Sequence, residues 1–295
     1  MHGFLTDPDE YLYHYTRAEV AADHILPDKT LRFSPLSNLN DPRDAGTRLF
    51  SIRSGAITPE YDHADVHARL NSEIVRPCVI ASFTIDSPAA VMRRRPDGSE
   101  PNPILALHER GFARPRMWAQ YAENHTGVCI VLRRNALEDA VMALARATAA
   151  IVVKGPVTYQ NAGLPSLGPT DPFAISKDNF NRQGFSQAAD RHFDTHWRGL
   201  FFEKNADWES EREYRILVRN EVEHDAALFV SIEAALVGVV YGEKIARGHL
   251  ATIARNLLDT DIQLAEARWQ NGIPQITPDN PRALLQRMNV LDNGG

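Results

Sequence analysis

Glu209, Glu211 and Glu213 stand at alternate positions in the stretch DWESEREYRILV, beside Arg212 and Arg215. Aromatic and β-branched residues at its end favour an extended chain, in which successive side chains point to opposite faces. One face then carries Trp208, Ser210, Arg212, Tyr214 and Ile216, and the other carries the three glutamates with Arg215. Carboxylates lined up in this way repel one another, so solvent, a cation or a function must compensate. A solvated edge paired with Lys204, Arg212 or Arg215 is one solution. A carboxylate that ligates a metal, acts as a base or stabilises a developing cation is another. No second carboxylate cluster with metal-ligand spacing accompanies the stretch, and no metal ligands are assigned.

Three further segments carry candidate chemistry. In YLYHYTR, His14 can hydrogen-bond a sugar hydroxyl while the flanking tyrosines stack on a flat ring; on the residue alone, a core histidine bonded to a backbone carbonyl is the commoner role. In LRFSPLSNLNDP, Arg32 and Ser34 alternate with Leu31 and Phe33, which marks a polar strand face, and Asn40, Asp41 and Pro42 form a turn. Ser34 converges with His14 if the two lie on neighbouring strands. In WAQYAENHTGVC, Trp118 and Tyr121 share a helix face; Trp118 reads as a core anchor and Tyr121 as a pocket residue. His63 and His67 lack the glutamate of an H-E-x-x-H zinc motif. Arg93, Arg94 and Arg95 read as a solvated loop or a phosphate contact. Cys129 opens an apolar strand, which argues against a Cys129–His125 nucleophile pair.

The elements that must hold these residues alternate irregularly. Strands are expected at Glu10–Thr16, after the turn at Asp28, at 76–86, 128–132, 151–160, over the glutamate stretch, at 235–245 and as a final pair. Helical spacing marks 17–26, 136–149, the residues before Asp207, and 248–259. There is no regular βαβ order, no G-x-G-x-x-G and no phosphate-binding P-loop, so an α+β fold on a mixed or antiparallel split β-sheet with flanking helices is expected. The whole chain, 1–295, reads as one domain with insertions near 87–117 and 161–200.

Composition bounds the function only loosely. At 295 residues, 43% hydrophobic and 24% charged, the chain is long enough for a substantial core. A net charge of −6 gives no global footprint for nucleic acid. Cys78 and Cys129 form no C-x-x-C pair, and no signal segment or membrane-length apolar run is evident. A cytoplasmic protein with no membrane partner is expected.

Taken in order, YHYT, LRFSPLSNLNDP, WAQYAENHTGVCI, WESEREYRI and VVYG resemble a widespread bacterial domain family of unknown function, over roughly Tyr11 to Gly242. That family in turn resembles the ADP-ribosyltransferase superfamily. The resemblance implies an ADP-ribosyltransferase-like fold with NAD as substrate. It implies Glu213 as the catalytic carboxylate with Glu211 helping the acceptor. It further implies His14, Tyr15, Thr16, Arg32, Ser34 and Tyr121 around the dinucleotide. The implied acceptor is a protein or a nucleic acid, and the implied setting is a toxin or phage-defence effector with an antitoxin or defence-system partner. An NAD glycohydrolase with water replacing the acceptor, a metal-dependent nuclease using Glu209, Glu211 and Glu213 with a histidine, and a non-catalytic sensor or binding module are the alternatives.

Overall fold

Apolar runs become strands in the order their β-branched and aromatic content dictates. A computed structural model describes residues 11–39, 41–53, 63–88, 107–161, 171–176, 184–220 and 226–289, together with Phe4, Phe180 and Arg182. Glu10, Asn40, Arg93 to Arg95 and the turn-rich residues 162–170, all marked in the sequence, lie outside the described residues.

The strands are β1 (Tyr11–Thr16), β2 (Thr30–Pro35), β3 (Ser51–Arg53), β4 (Cys78–Thr84), β5 (Val128–Arg133), β6 (Ile151–Pro156) and β7 (Thr158–Gln160). They continue with β8 (Ala174–Ser176), β9 (Glu203–Asn205), β10 (Glu213–Arg219), β11 (Leu228–Ser231), β12 (Leu236–Gly242), β13 (Gln263–Gln270) and β14 (Ile273–Asp279). Among the described residues, ten of them form one sheet in the order β11-β2-β4-β1-β5-β12-β13-β14, with β10 also paired to β4 and β6 paired to β10. Its pairings are antiparallel except β12 with β13. Two short parallel pairs, β3–β8 and β7–β9, stand apart. The fold is therefore α+β on a mixed, largely antiparallel sheet.

One sheet face is a continuous apolar layer. Leu12, Phe83, Ile130, Ile216 and Val239 pack there against helices at 18–28, Arg134–Thr148, Arg247–Asn256 and Pro281–Arg287. The helix at Arg134–Thr148 buries Leu137, Val141 and Ala145 at four-residue spacing, the signature of a single buried stripe. The opposite face carries two separate clusters. One gathers Tyr13, Tyr15, Phe112, Trp118 and Cys129 around the helix Pro115–Gln120. The other gathers Ile80, Leu217, Phe193 and Phe201 beneath the helix Phe185–Phe201. Between these clusters the sheet presents polar side chains.

The glutamate stretch differs from its sequence reading. Ala206–Glu211 is a 3-10 helix, Arg212 takes a left-handed conformation (φ 46°), and the strand begins only at Glu213. The physical reason is local: the Asn205 side chain caps the turn by accepting from the Asp207 amide at 3.0 Å, and Asp207 and Glu209 occupy the first turn, where negative charge suits the helix dipole. The three glutamates therefore do not share a strand face. Glu209 is exposed on the turn, whereas Glu211 and Glu213 are buried, at 3% and 5% exposure. No described helix is long and apolar enough to cross a membrane.

Candidate functional site

The site forms where the sheet forks. One edge of β4 is shared by two strands: β1 pairs with it at Tyr13–Thr84, and β2 pairs with it at Ser34–Ile80 and Pro35–Val79. Between those contacts β1 and β2 both leave β4, so among the described residues the Ala81–Phe83 edge has no strand partner on that side. A cavity of about 210 Å³ opens there, lined by residues 80–84 of β4 and by side chains of β1, β2, β10 and the Pro115–Gln120 region. The other edge of β4 is paired along its length with β10, with Glu213 opposite Thr84 and Arg215 opposite Ser82.

Register decides which side chains meet. Residues directly opposite in an antiparallel pair share a face. Tyr13, Thr84 and Glu213 therefore project together, with Ser82, Arg215, Ile80 and Ser34 on the same side. His14 projects from the other side, with Phe83, and reaches the cavity through the fork. Its Nδ1 lies 3.3 Å from the Ser82 carbonyl oxygen, one of the backbone acceptors that the fork leaves without a strand partner. A carbonyl can only accept, so the neutral ring carries its proton on Nδ1 and keeps Nε2 as an acceptor. Burial lowers the imidazole pKa below its usual value, against the raising effect of the Ser82 carbonyl.

The opposite wall is a buried ion network. Lys204 on β9 places its ammonium 2.9 Å from Glu211 Oε2 and 2.8 Å from Glu213 Oε2. Arg215 Nε donates to Glu213 Oε1 at 2.6 Å, and its two Nη atoms bridge Asp44 at 3.0 and 2.5 Å. Tyr121 donates its hydroxyl to Glu211 Oε1 at 2.8 Å. Burial by itself would raise the Glu213 carboxyl, but Arg215 and Lys204 outweigh it and hold the pKa down at about 2. Lys204 and Arg215 are pushed above their usual values by the same carboxylates, in spite of their burial. Removing one member of such a network strands the others without compensation.

The turn at Asp41 and Pro42 serves this network. Asp41 accepts the Arg43 amide through Oδ1 at 2.8 Å, and its carbonyl accepts from Asp44 and Ala45 at 2.9 Å each. Asp41 thus caps the one-turn helix Pro42–Ala45, with proline at the first helical position, and that turn delivers Asp44 to Arg215.

The segment from Trp118 to Cys129 places Tyr121. Trp118 is fully buried and donates Nε1 to the Phe112 carbonyl at 2.8 Å. Glu123, Asn124 and His125 then follow in left-handed conformation, with φ of 46°, 53° and 73°. For L-residues this conformation costs about 1–2 kcal/mol each, so packing must hold it. A side chain at Gly127 would put Cβ 2.4 Å from the Thr16 carbonyl oxygen, which leaves room only for glycine where the turn crosses the end of β1.

The structure brings together seven of the eight residues that the resemblance implies for the site. His14, Tyr15, Arg32, Ser34, Tyr121, Glu211 and Glu213 all line the cavity. Thr16 does not appear in its wall. The Tyr15 hydroxyl is already committed to the Gly111 carbonyl at 2.7 Å, so its contribution is the ring. Arg32 is exposed on β2, across the fork from the acidic wall. Among the described residues, no set of three or more His, Cys, Asp or Glu gathers to hold a metal ion. Sequence reasoning did not single out Asp44, and treated Lys204 only as a surface ion-pair partner. Asp44 had a signal in the helix start D-P two residues earlier; Lys204 had none.

Residues 117–216 match a family described as "Protein of unknown function (DUF2971)". The match takes in Trp118 to Cys129 and Glu211 to Arg215, and leaves out β1 and β2. No curated protein and no solved structure matches the chain.

Proposed function

We propose that the protein is an NAD-dependent ADP-ribosyltransferase with an ADP-ribosyltransferase-like split sheet, acting on a protein or nucleic-acid acceptor as a toxin or phage-defence effector. The observation that carries this reading is that His14, at the amino end, and Glu211 and Glu213, far along the chain, line one cavity at the sheet fork. Wall polarity supports it too. Buried carboxylates stand on the β10 side of the wall, matching a ligand with a cationic ring. At about 210 Å³ the cavity falls below the ~300–1,000 Å³ of whole-ligand pockets. It takes the nicotinamide ring and its ribose, and the rest of the dinucleotide lies over the rim.

The chemistry follows from where the charges are fixed. The bond between nicotinamide nitrogen and ribose C1 breaks, and its electron pair stays on the nitrogen, which neutralises the ring. The ribose is left with oxocarbenium character, as in glycoside cleavage. Glu213, ionised and clamped by Arg215 and Lys204, needs no reorganisation to face that charge. Glu211, oriented by Tyr121, takes the proton of the acceptor group that attacks C1. His14 positions a ribose hydroxyl through its acceptor nitrogen.

Calorimetry with NAD, and chromatography of released nicotinamide in the presence of candidate acceptors, test the proposal. NAD is expected to bind and to raise the melting temperature by several degrees at saturation, since ligand at one hundred times its Kd stabilises by about 2.7 kcal/mol. Absence of both binding and nicotinamide release overturns it. Mn²⁺-dependent cleavage of nucleic acid without NAD binding would point to a nuclease, and binding without release to a sensor module.

A further inference from the structure

A second opening adjoins the network from the other side. This cleft, about 610 Å³ in volume, is lined by Asp86, Arg114, Tyr159, Glu209, Ser210 and Arg212 among others, and Glu213 belongs to its wall as well as to that of the inner cavity. Its charged groups are unevenly committed. Asp86 is fully occupied, accepting the Gly111 amide at 2.6 Å and the Tyr13 hydroxyl at 3.2 Å and pairing with Arg110 at 3.0 Å. Glu209 is exposed on the 3-10 turn. Arg114 and Arg212 are both half-buried and converge on one carboxylate oxygen, Glu109 Oε2, at 3.8 and 3.1 Å.

Two guanidiniums share this one carboxylate. Most of their hydrogen-bonding capacity is also unspent. A guanidinium carries five N–H donors. Among the described residues, the Arg114 side chain donates only from Nη2, to the Glu109 carbonyl at 3.4 Å, and its Nε is buried without an acceptor. Among the same residues, the Arg212 side chain donates only from Nη1, to Glu109. The repulsion is visible on Arg114, whose pKa is lowered first by burial and then by Arg212. The Ser87 hydroxyl also donates to Glu109 Oε2, so three donor groups crowd one carboxylate oxygen. Arg212 is held in place by its left-handed backbone, whose carbonyl accepts the Ile85 amide at 3.0 Å.

We propose that this cleft is a phosphate-binding site in which Arg114 and Arg212 grip a phosphate or diphosphate group beside Glu213. Paired arginine forks match the planar faces of a phosphate, and the group supplies acceptor oxygens for the guanidinium N–H groups that Glu109 leaves unpaired. The phosphate comes either from the diphosphate of a dinucleotide in the inner cavity or from a phosphate of a nucleic-acid acceptor.

Titration calorimetry of the full chain with inorganic pyrophosphate at low salt tests the site. Because pyrophosphate contains neither nicotinamide nor ribose, its binding stands or falls separately from the NAD reading. Arg114→Gln and Arg212→Gln, checked for folding by circular dichroism, are expected to weaken binding about tenfold or more, as for loss of a charge-assisted pair. Glu109→Gln removes the competing carboxylate and is expected to tighten binding. If the arginines were only a structural tie, Glu109→Gln would lower the melting temperature and leave pyrophosphate affinity unmoved. That result, or no binding by the wild-type chain, overturns the proposal. Among sources, tighter binding of ADP-ribose than of pyrophosphate, with the same arginine dependence, identifies the dinucleotide. Preference for a 5′-phosphorylated oligonucleotide over its unphosphorylated twin identifies the acceptor.

Discussion

Arg215 reaches Asp44, 171 positions away in sequence, through two hydrogen bonds, Nη1 to Oδ1 at 3.0 Å and Nη2 to Oδ2 at 2.5 Å. Both side chains are buried, so this bidentate pair fastens the turn at Asp41 and Pro42 to the strand that carries Glu213. Asp44→Ala leaves Arg215 half-paired and buried, and is expected to cost about 3–5 kcal/mol of stability, measured by urea unfolding. An unchanged unfolding midpoint would show that the pair contributes nothing to holding the network.

Acid should loosen the same region through Glu213. Its folded pKa is depressed to about 2, below that of an unfolded glutamate. A depressed carboxylate contributes stability that is present above the unfolded pKa and is lost as pH falls through the folded one. The window is thus from about pH 4.5 down to about pH 2, with a total of about 3 kcal/mol. Glu213→Gln should flatten that limb of the stability–pH curve; an identical acid limb in the variant would refute the assignment.

Tyr121→Phe removes the donor to Glu211 Oε1 and keeps the ring. Stability should fall by only about 1 kcal/mol, the net worth of one hydrogen bond. Nicotinamide release should fall further, about tenfold or more, if orientation of Glu211 matters to the transfer. Equal losses in stability and turnover would reduce Tyr121 to a packing residue.

Two glycines offer a contrast in backbone space. Gly127→Ala would drive Cβ against the Thr16 oxygen at 2.4 Å and the Ala122 Cα at 2.8 Å, both backbone atoms, and should destabilise by about 1–3 kcal/mol. Gly248→Ala, in the helix Arg247–Asn256, meets no atom within 4 Å and should be neutral or stabilise by up to about 1 kcal/mol. Thermal unfolding of the pair decides it; equal melting temperatures would mean the turn yields easily.

Much of the fold was legible because strand and helix periodicity are local. The YLYHYT, CVIASFT and VCIVLR runs become β1, β4 and β5 with little change at their ends. The glutamate stretch was misread because charge alternation imitates a strand, while the Asn205 cap and acidic first turn that start a 3-10 helix were given no weight. The burial of Glu213 was equally out of reach: a strand glutamate looks exposed until its cationic partners are known, and one of them, Lys204, sits on a separate short strand.

By itself the sequence determined the residue types able to do chemistry, the α+β class, and the turn at Asp41 and Pro42. Only the tertiary structure decided that β1 and β2 part from β4, that His14 enters through the resulting gap, and that Glu211 and Glu213 are clamped by Lys204 and Arg215. The reason is physical: periodicity and capping act over a few residues, whereas strand register and the pairing of buried charges depend on segments that meet only when the chain folds.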